Sequence, residues 1–253
     1  MMDMIDICVP VYNEGKNIQK LLDAMERDIR SEFRLLVIYD SEDDNTLPIL
    51  REIRSEYPYS IELIQNFYGR GVARAILTGI QSVQSDCWVL TMADLSDDLT
   101  TIDAMYAKIQ EGYDMAAGSR YMRGGKKCGG PFLQSLFSWC AGWGMHILIG
   151  LPIHDLSNAF KMYRSSVTRN IPLESVEGFE ICTELVIKTY LAGYRETEVP
   201  TEWHDRTEGE SNFKMWQWIP KYLYWCFYGM RHKWLGKKPE FHRDHLEQAR
   251  THP

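Results

Sequence analysis

The stretch Cys87–Leu99, CWVLTMADLSDDL, decides the fold. An apolar run from Cys87 to Met92 breaks without a turn signal into Asp94, Asp97 and Asp98. A continuous apolar run marks a strand buried on both faces of a parallel sheet, and open α/β folds bind ligands at the carboxyl edge of such a sheet. Carboxylate oxygens are also the donors that Mg²⁺ or Mn²⁺ prefers, usually one or two of them plus substrate phosphates. The segment therefore points to a metal–nucleotide site. Read alone, the same acids equally suit a helix N-terminus, where they would face the positive end of the dipole.

Working outward, Met4–Val9, Phe33–Tyr39 and Ile61–Ile64 predict strands. Between them lie helical patterns at Glu14–Arg30, with Ile18, Leu21, Leu22 and Met25 on one face, at about Thr46–Glu56, and at about Gly71–Val83. A helix near Thr101–Glu111 and a short strand at Asp114–Ala117 follow. Strands alternating with helices of this length imply βαβ units and a mostly parallel, Rossmann-like sheet, hence an α/β fold. The second half is less regular. It predicts an uncharged helix over Pro131–Leu151, a strand within Asn158–Tyr163, a helix at Glu180–Ala192, a strand at Glu196–Pro200 and an aromatic helix from about Met215 to Trp234. The expected organisation is one domain over 1–235, with a nucleotide-binding half (1–98), an acceptor half (99–235) and a charged, disordered tail (236–253).

At 253 residues and a formal net charge of −7, the chain lacks the basic balance of a general nucleic-acid binder. The six cysteines show no close pairing motif, which argues against a zinc site or disulfide framework and fits a reducing compartment. Cys8 and Cys87 sit inside strand-like runs as small buried apolar residues. The N-terminus leads straight into a strand, so no signal peptide is expected. From Cys128 to His154 there is no Lys, Arg, Asp or Glu, yet Gln134, Ser135, Ser138 and His146 interrupt the run and Pro131 and Pro152 bound it. Such a helix suits a groove or a bilayer surface better than a span. The last helix carries Trp218, Tyr222, Trp225, Tyr228 and Trp234 with Lys214, Lys221, Arg231 and Lys233. That is the composition of a membrane-interface helix, although a core helix on the sheet or a dock for a membrane partner subunit would also use it.

Three further motifs fall at predicted strand ends. Pro10-Val11-Tyr12-Asn13-Glu14 ends the first strand, where Tyr12 suits stacking on a base and Asn13 suits capping a helix. A plain strand–helix turn would look the same. Asp40, ending the second strand, offers a carboxylate to a base N–H. Gly69-Arg70-Gly71 opens a helix, so that backbone N–H groups and Arg70 can approach a diphosphate.

The order of motifs is more specific than any one of them. PVYNE, YDSEDDNT, GRGVARAILTG, MADLSDD, GSRY, DLSNAFKMYR, GFEICTEL and EVPTEWHDRTEGES together resemble the inverting glycosyltransferases of family 2. The likeness runs from about residue 4 to 234 and is greatest to the dolichyl- or polyprenyl-phosphate mannosyl- and glucosyltransferase branch. The resemblance implies the GT-A fold, a nucleoside-diphosphate-sugar donor of GDP-mannose or UDP-glucose type, and a polyprenyl phosphate acceptor. By the same resemblance Pro10, Tyr12 and Glu14 line the nucleotide pocket, Asp40 reads the base, and Gly69 with Arg70 borders the nucleotide. Asp155, Asn158 and Lys161 match a block after the acceptor helix, with Lys161 on the donor side. Arg206 and Ser211 match a loop that closes over the donor diphosphate. Arg120 matches an arginine near the acceptor phosphate or the leaving diphosphate. The implied catalytic set is Asp94, Arg120, Asp155 and Arg206, while Glu184 is expected to be structural.

The chain departs from the family at its central feature. In the Asp-x-Asp metal motif the second acid matches Asp94 and a third polar position matches Ser96, but the first matches Met92, which binds a hard cation poorly. Either Asp94 and the diphosphate hold Mg²⁺ or Mn²⁺ with water, or Asp97 or Asp98 assists, or metal dependence is weak. A basic residue common in relatives is replaced by Gln134, a loss that Lys126 or Lys127 would offset.

A lipid phosphate is already an anion, so such an acceptor needs charge neutralisation and alignment, not a strong base. Metal and arginines would stabilise the departing nucleoside diphosphate, giving inversion. A hydroxyl acceptor would need a carboxylate base, for which Asp155 or the Asp97–Asp98 pair are the candidates. A same-fold enzyme acting on a saccharide is therefore the first alternative, and a degenerate nucleotide-sugar-binding protein the second. A peripheral location at the cytoplasmic face of a membrane is expected.

Overall fold

The computed structural model describes residues 4–205 and 215–236. Arg206, Ser211, Lys214 and the 237–253 tail lie outside the described residues. The chain order is β1 (Ile5–Val11), α1 (Ile18–Asp28), β2 (Phe33–Tyr39), α2 (Thr46–Ile53) with a 3₁₀ turn (Arg54–Glu56), β3 (Ser60–Gln65), α3 (Val72–Ser82), β4 (Cys87–Leu90), α4 (Thr101–Gln110) and β5 (Met115–Ser119). Then come β6 (Lys126–Cys128), α5 (Phe132–Ile149), β7 (Lys161–Arg164), α6 (Ser165–Asn170), α7 (Glu180–Leu191), β8 (Glu196–Pro200), β9 (Glu202–His204) and α8 (Met215–Trp234).

Seven strands form one sheet in the order β3-β2-β1-β4-β7-β5-β8. Every neighbouring pair is parallel except those made by β7, which runs antiparallel to both β4 and β5. This is the mostly parallel α/β sheet expected, with apolar strands because helices cover both faces. On one face Leu21, Leu22, Leu47, Leu50, Ile102 and Met105 close the core. On the other, Ile76, Ile80, Leu151, Leu185 and Ile187 do so. Asp6 and Arg34, neighbours in β1 and β2, are buried in the sheet and pair through two hydrogen bonds of 2.9 and 2.8 Å.

Three local expectations are corrected. Helix α1 starts at Ile18, not Glu14, because Asn13 adopts a left-handed conformation (φ 58°) and residues 13–15 are tied to the loop after β2. Their backbone N–H groups donate to Asp44, Thr46 and Asn45. Asn13 therefore caps no helix; Asn17 holds the N-cap position of α1. The strand expected within Asn158–Tyr163 begins at Lys161, since the Asn158 side chain donates to the Gly118 carbonyl (2.9 Å) and holds the chain in a turn. The two-stranded sheet β6–β9 is an addition to the expected elements, each of its strands being only three residues long.

No helix among the described residues is long and apolar enough to cross a membrane. Helix α5 instead packs Gly142, Met145 and Ile149 inward and leaves Phe132, Leu133, Phe137, Trp139, Ile147 and Leu148 exposed. Beside it α8 exposes Leu223, Tyr224, Phe227 and Trp234, and the Trp234 indole donates to the Leu148 carbonyl (3.2 Å).

Candidate active site

Because β7 runs backwards, the carboxyl ends of β1, β2, β4, β5 and β8 meet the amino end of β7 along one sheet edge. Parallel α/β sheets place ligands at this edge. The loop after β4 supplies the acids. The Ser96 hydroxyl and backbone N–H donate to Asp94 Oδ1 at 2.5 and 3.1 Å, fixing that carboxylate. Asp97 accepts from the Thr91 hydroxyl at 3.0 Å. Removal from water, and then the negative charge of Asp94, push the Asp97 carboxyl up to about 7. Asp98 faces elsewhere and accepts from the backbone and hydroxyl of Thr100, at 3.1 and 2.7 Å, where α4 begins. The helix-terminus reading thus describes Asp98, while Asp94 and Asp97 bond within the loop after β4, to Ser96 and Thr91.

The loop after β5 supplies the cation. Arg120 donates to buried Asp155 from Nε (2.7 Å), from an Nη (2.9 Å) and from its own backbone N–H (3.0 Å). The same Nη reaches the hydroxyls of Ser157 and Ser138 at 3.3 and 3.4 Å. Burial alone would raise the Asp155 carboxyl, but the Arg120 charge, with that of Lys161, holds it below the usual carboxylate range. Asp155 is 0% exposed. Its Oδ1 also accepts the Asn158 N–H, so it fixes the guanidinium and has no open face toward solvent.

The small β6–β9 sheet closes the far side. Lys127 pairs with Trp203, and Trp203 forms an isolated bridge with Asp97, so the three stand in one row. The Trp203 ring lies 6.0 Å from the Arg120 guanidinium and 5.1 Å from the Lys127 ammonium. Sequence reasoning does not single out Trp203; its only signal is a place inside the EVPTEWHDRTEGES motif.

The remaining expected residues are divided between the edge and the interior. Pro10 is buried in β1, and Tyr12 is exposed at its end. Glu14 accepts from the Asn17 amide at 2.7 Å. Asp40 accepts from the Asn66 amide (2.8 Å) and the Gly71 N–H (2.9 Å), so it organises the glycine loop. Gly69 takes φ 92°, and Arg70 is exposed beside it. Lys161 is wholly enclosed, and its ammonium donates to the carbonyls of Leu156 and Asn158. Glu184, also enclosed, is paired with Lys188 at 2.6 Å and accepts from two backbone N–H groups.

Residues 6–171 match the family described as "Glycosyl transferase family 2". The chain belongs to glycosyl transferase family 2. It is 30% identical, over 83% of its length, to a dolichol-phosphate mannosyltransferase of Pyrococcus furiosus. It is 25% identical, over 81%, to a polyprenol monophosphomannose synthase of Mycolicibacterium smegmatis. To an undecaprenyl-phosphate mannosyltransferase of Micrococcus luteus it is 26% identical over 80%. The matches span 59%, 79% and 84% of those proteins. The fold is similar to that of glucosyl-3-phosphoglycerate synthase of Mycobacterium tuberculosis in complex with Mn²⁺, UDP and glucosyl-3-phosphoglycerate. That likeness has a TM-score of 0.64 at 14% identity, covering 88% of this chain and 80% of the other. The protein is thus a glycosyltransferase of the GT-A fold.

Proposed function

We propose that this family 2 glycosyltransferase moves a hexose from a nucleoside-diphosphate sugar to a polyprenyl phosphate, with inversion. The observation that carries the proposal is the Arg120–Asp155 pair. Asp155, the obvious base for a hydroxyl acceptor, is enclosed and committed to Arg120, whereas Arg120 is fixed at the sheet edge as an anion-binding group. The three relatives named above are all polyprenyl-type mannosyltransferases, which favours mannose as the sugar.

The nucleotide sits over the ends of β1 and β2, against Tyr12 and Glu14, with Arg70 at the diphosphate. Asp40 acts through the glycine loop it orders. Arg206 and Ser211 would complete the donor side. The phosphate acceptor approaches Arg120 and attacks the sugar carbon as an anion, so the protein's work is to neutralise and align two phosphate groups.

Asp94 and Asp97 suit Mg²⁺ or Mn²⁺. Two nearby carboxyls, one of them pushed toward neutrality by burial and by the other's charge, form an acidic pair that a cation would relieve. Among the described residues no group of three or more metal-type side chains is assembled. The cation would therefore be held jointly with the donor diphosphate, with Ser96 orienting Asp94 and Met92 contributing nothing. Its chemistry when bound would be to neutralise the departing diphosphate.

The acceptor's lipid nature assigns the apolar face of α5 and α8 to the bilayer interface. That face carries Trp139 and Trp234, with Arg231 and Lys233 nearby, and α5 begins beside Arg120 and Lys127. A hydroxyl acceptor is the second reading, favoured by Asp97 alone, since a carboxyl near 7 is suited to a general base.

The test is nucleoside diphosphate release from GDP-mannose and UDP-glucose with Mg²⁺ or Mn²⁺, with and without a short polyprenyl phosphate. Release that depends on the lipid phosphate supports the proposal. Release that depends instead on an added saccharide refutes it.

A further inference from the structure

The two neighbouring lysines of β6 have opposite fates. Lys126 is exposed and ion-paired with Glu202. Lys127 is half-buried, donates to the Ser135 hydroxyl at 2.7 Å, and lies against the Trp203 ring. Among the described residues no carboxylate forms an ion pair with Lys127. Cationic groups stand close by. Arg120 reaches the same indole ring, and Ser135 belongs to the first turn of α5, the positive end of that helix. Burial, and then the Arg120 charge, hold the Lys127 ammonium below the usual lysine range, while Asp155 and Asp205 act in the opposite direction. A half-buried ammonium with no carboxylate in direct contact is well placed to take up an anion. Gln134, in the same turn of α5, offers an amide but no charge.

We infer that Lys127 is the second cation of the acceptor subsite, closing with Arg120 on the phosphate of the polyprenyl acceptor. This rests on the acceptor reading above. One ammonium hydrogen faces Ser135, leaving the others for phosphate oxygens, and both cations lie against the one Trp203 ring. The missing basic side chain on α5 is thereby replaced from the neighbouring edge strand. Lys126, tied to Glu202 in solvent, takes no part.

The experiment measures KM for a short polyprenyl phosphate and for the donor separately, in the wild type, Lys127→Met and Lys127→Arg. Expected for Lys127→Met is a rise in acceptor KM of about tenfold or more, the worth of one charge-assisted hydrogen bond, with donor KM within about twofold. Lys127→Arg should restore most of the acceptor affinity. The unmoved donor KM shows that the site remains folded. In the wild type, acceptor KM should also climb as pH rises toward the lowered Lys127 value, and Lys127→Arg should flatten that climb. Wild-type release that needs the lipid phosphate, together with an unchanged acceptor KM in Lys127→Met, overturns the role of Lys127 and leaves the acceptor reading standing. Wild-type release that ignores the lipid phosphate overturns both.

Discussion

Asp155→Asn separates a carboxylate that positions a cation from one that removes a proton. Asp155 is fully buried and receives four hydrogen bonds, three from Arg120 and one from Asn158. An amide at this position keeps the shape but loses the charge, leaving a guanidinium that is only 9% exposed without its counter-ion. Breaking one side of a buried pair in this way costs about 3–5 kcal/mol. For a chain of this size that corresponds to a fall in melting temperature of roughly 10 °C. Arg120 would also be displaced, and a misplacement of about 1 Å is worth roughly a hundredfold in rate. Thermal unfolding and turnover on a polyprenyl phosphate should therefore fall together. The double variant Arg120→Met with Asp155→Asn, which removes both charges, should be more stable than Asp155→Asn alone, giving a favourable coupling energy in the cycle. The reasoning fails if Asp155→Asn melts like the wild type yet has no activity. That is the behaviour of a general base, and it would return the enzyme to hydroxyl acceptors.

Other outcomes follow from packing and charge elsewhere. Gly142→Ala would put a methyl 1.9 Å from the His154 carbonyl oxygen, whereas Gly144 has nothing within 4 Å. Urea unfolding should show Gly142→Ala losing at least about 1–3 kcal/mol and Gly144→Ala gaining up to about 1 kcal/mol. The Gly142 variant should also lose activity, since the displaced segment leads into Asp155. Asp6→Asn breaks the buried pair with Arg34 and should cost about 3–5 kcal/mol near neutral pH. Burial would raise the Asp6 carboxyl, but hydrogen bonds from Arg34, Ser85 and Gln84 hold it below its ordinary value. Its contribution is therefore complete above the ordinary carboxylate range and disappears as pH falls through the depressed value, so acid titration of stability should bring the two proteins together. On α5 and α8, Phe132 and Phe227 are 77% and 63% exposed. Replacing both with Ser should weaken binding to anionic vesicles in a flotation assay by about tenfold or more, while leaving unfolding unchanged.

The legibility of the chain follows the length of its signals. Strands β1, β2 and β4, apolar and flanked by amphipathic helices, can be read from periodicity because their burial dominates every competing preference. The motif order then places Arg120, Asp155 and Asp94 in one family pattern, and the fold brings them to one edge. Short elements cannot be read. Lys126–Cys128 and Glu202–His204 have no pattern of their own, and they pair only because the Cys87–Leu99 loop and β8 bring them together. Trp203 is lost with them, and the sequence leaves the choice between Lys126 and Lys127 open. Asn13 reads as a helix cap because nothing local betrays its left-handed backbone, which depends on hydrogen bonds from residues 13–15 to a loop some thirty residues away. The split between Asp97 and Asp98 is equally invisible: adjacent acids in a loop point to different neighbours, and only the fold says which.

Strand β7 acts as an electrical spacer. It inserts one reversed strand between β4 and β5, so the chain ends carrying the acids and Arg120 are two ladder spacings apart, roughly 10 Å. Had β4 and β5 been neighbours, the opposite charges would have stood at contact distance and neutralised each other. At the wider separation their mutual attraction is reduced severalfold, and Arg120 takes Asp155 as its partner instead. The topology thereby keeps the acids and the Arg120–Asp155 pair at separate places along the edge, which a ligand with phosphates and a cation would bridge. The enzyme would then be most stable when loaded, and its melting temperature should rise with donor and acceptor together by more than with either alone.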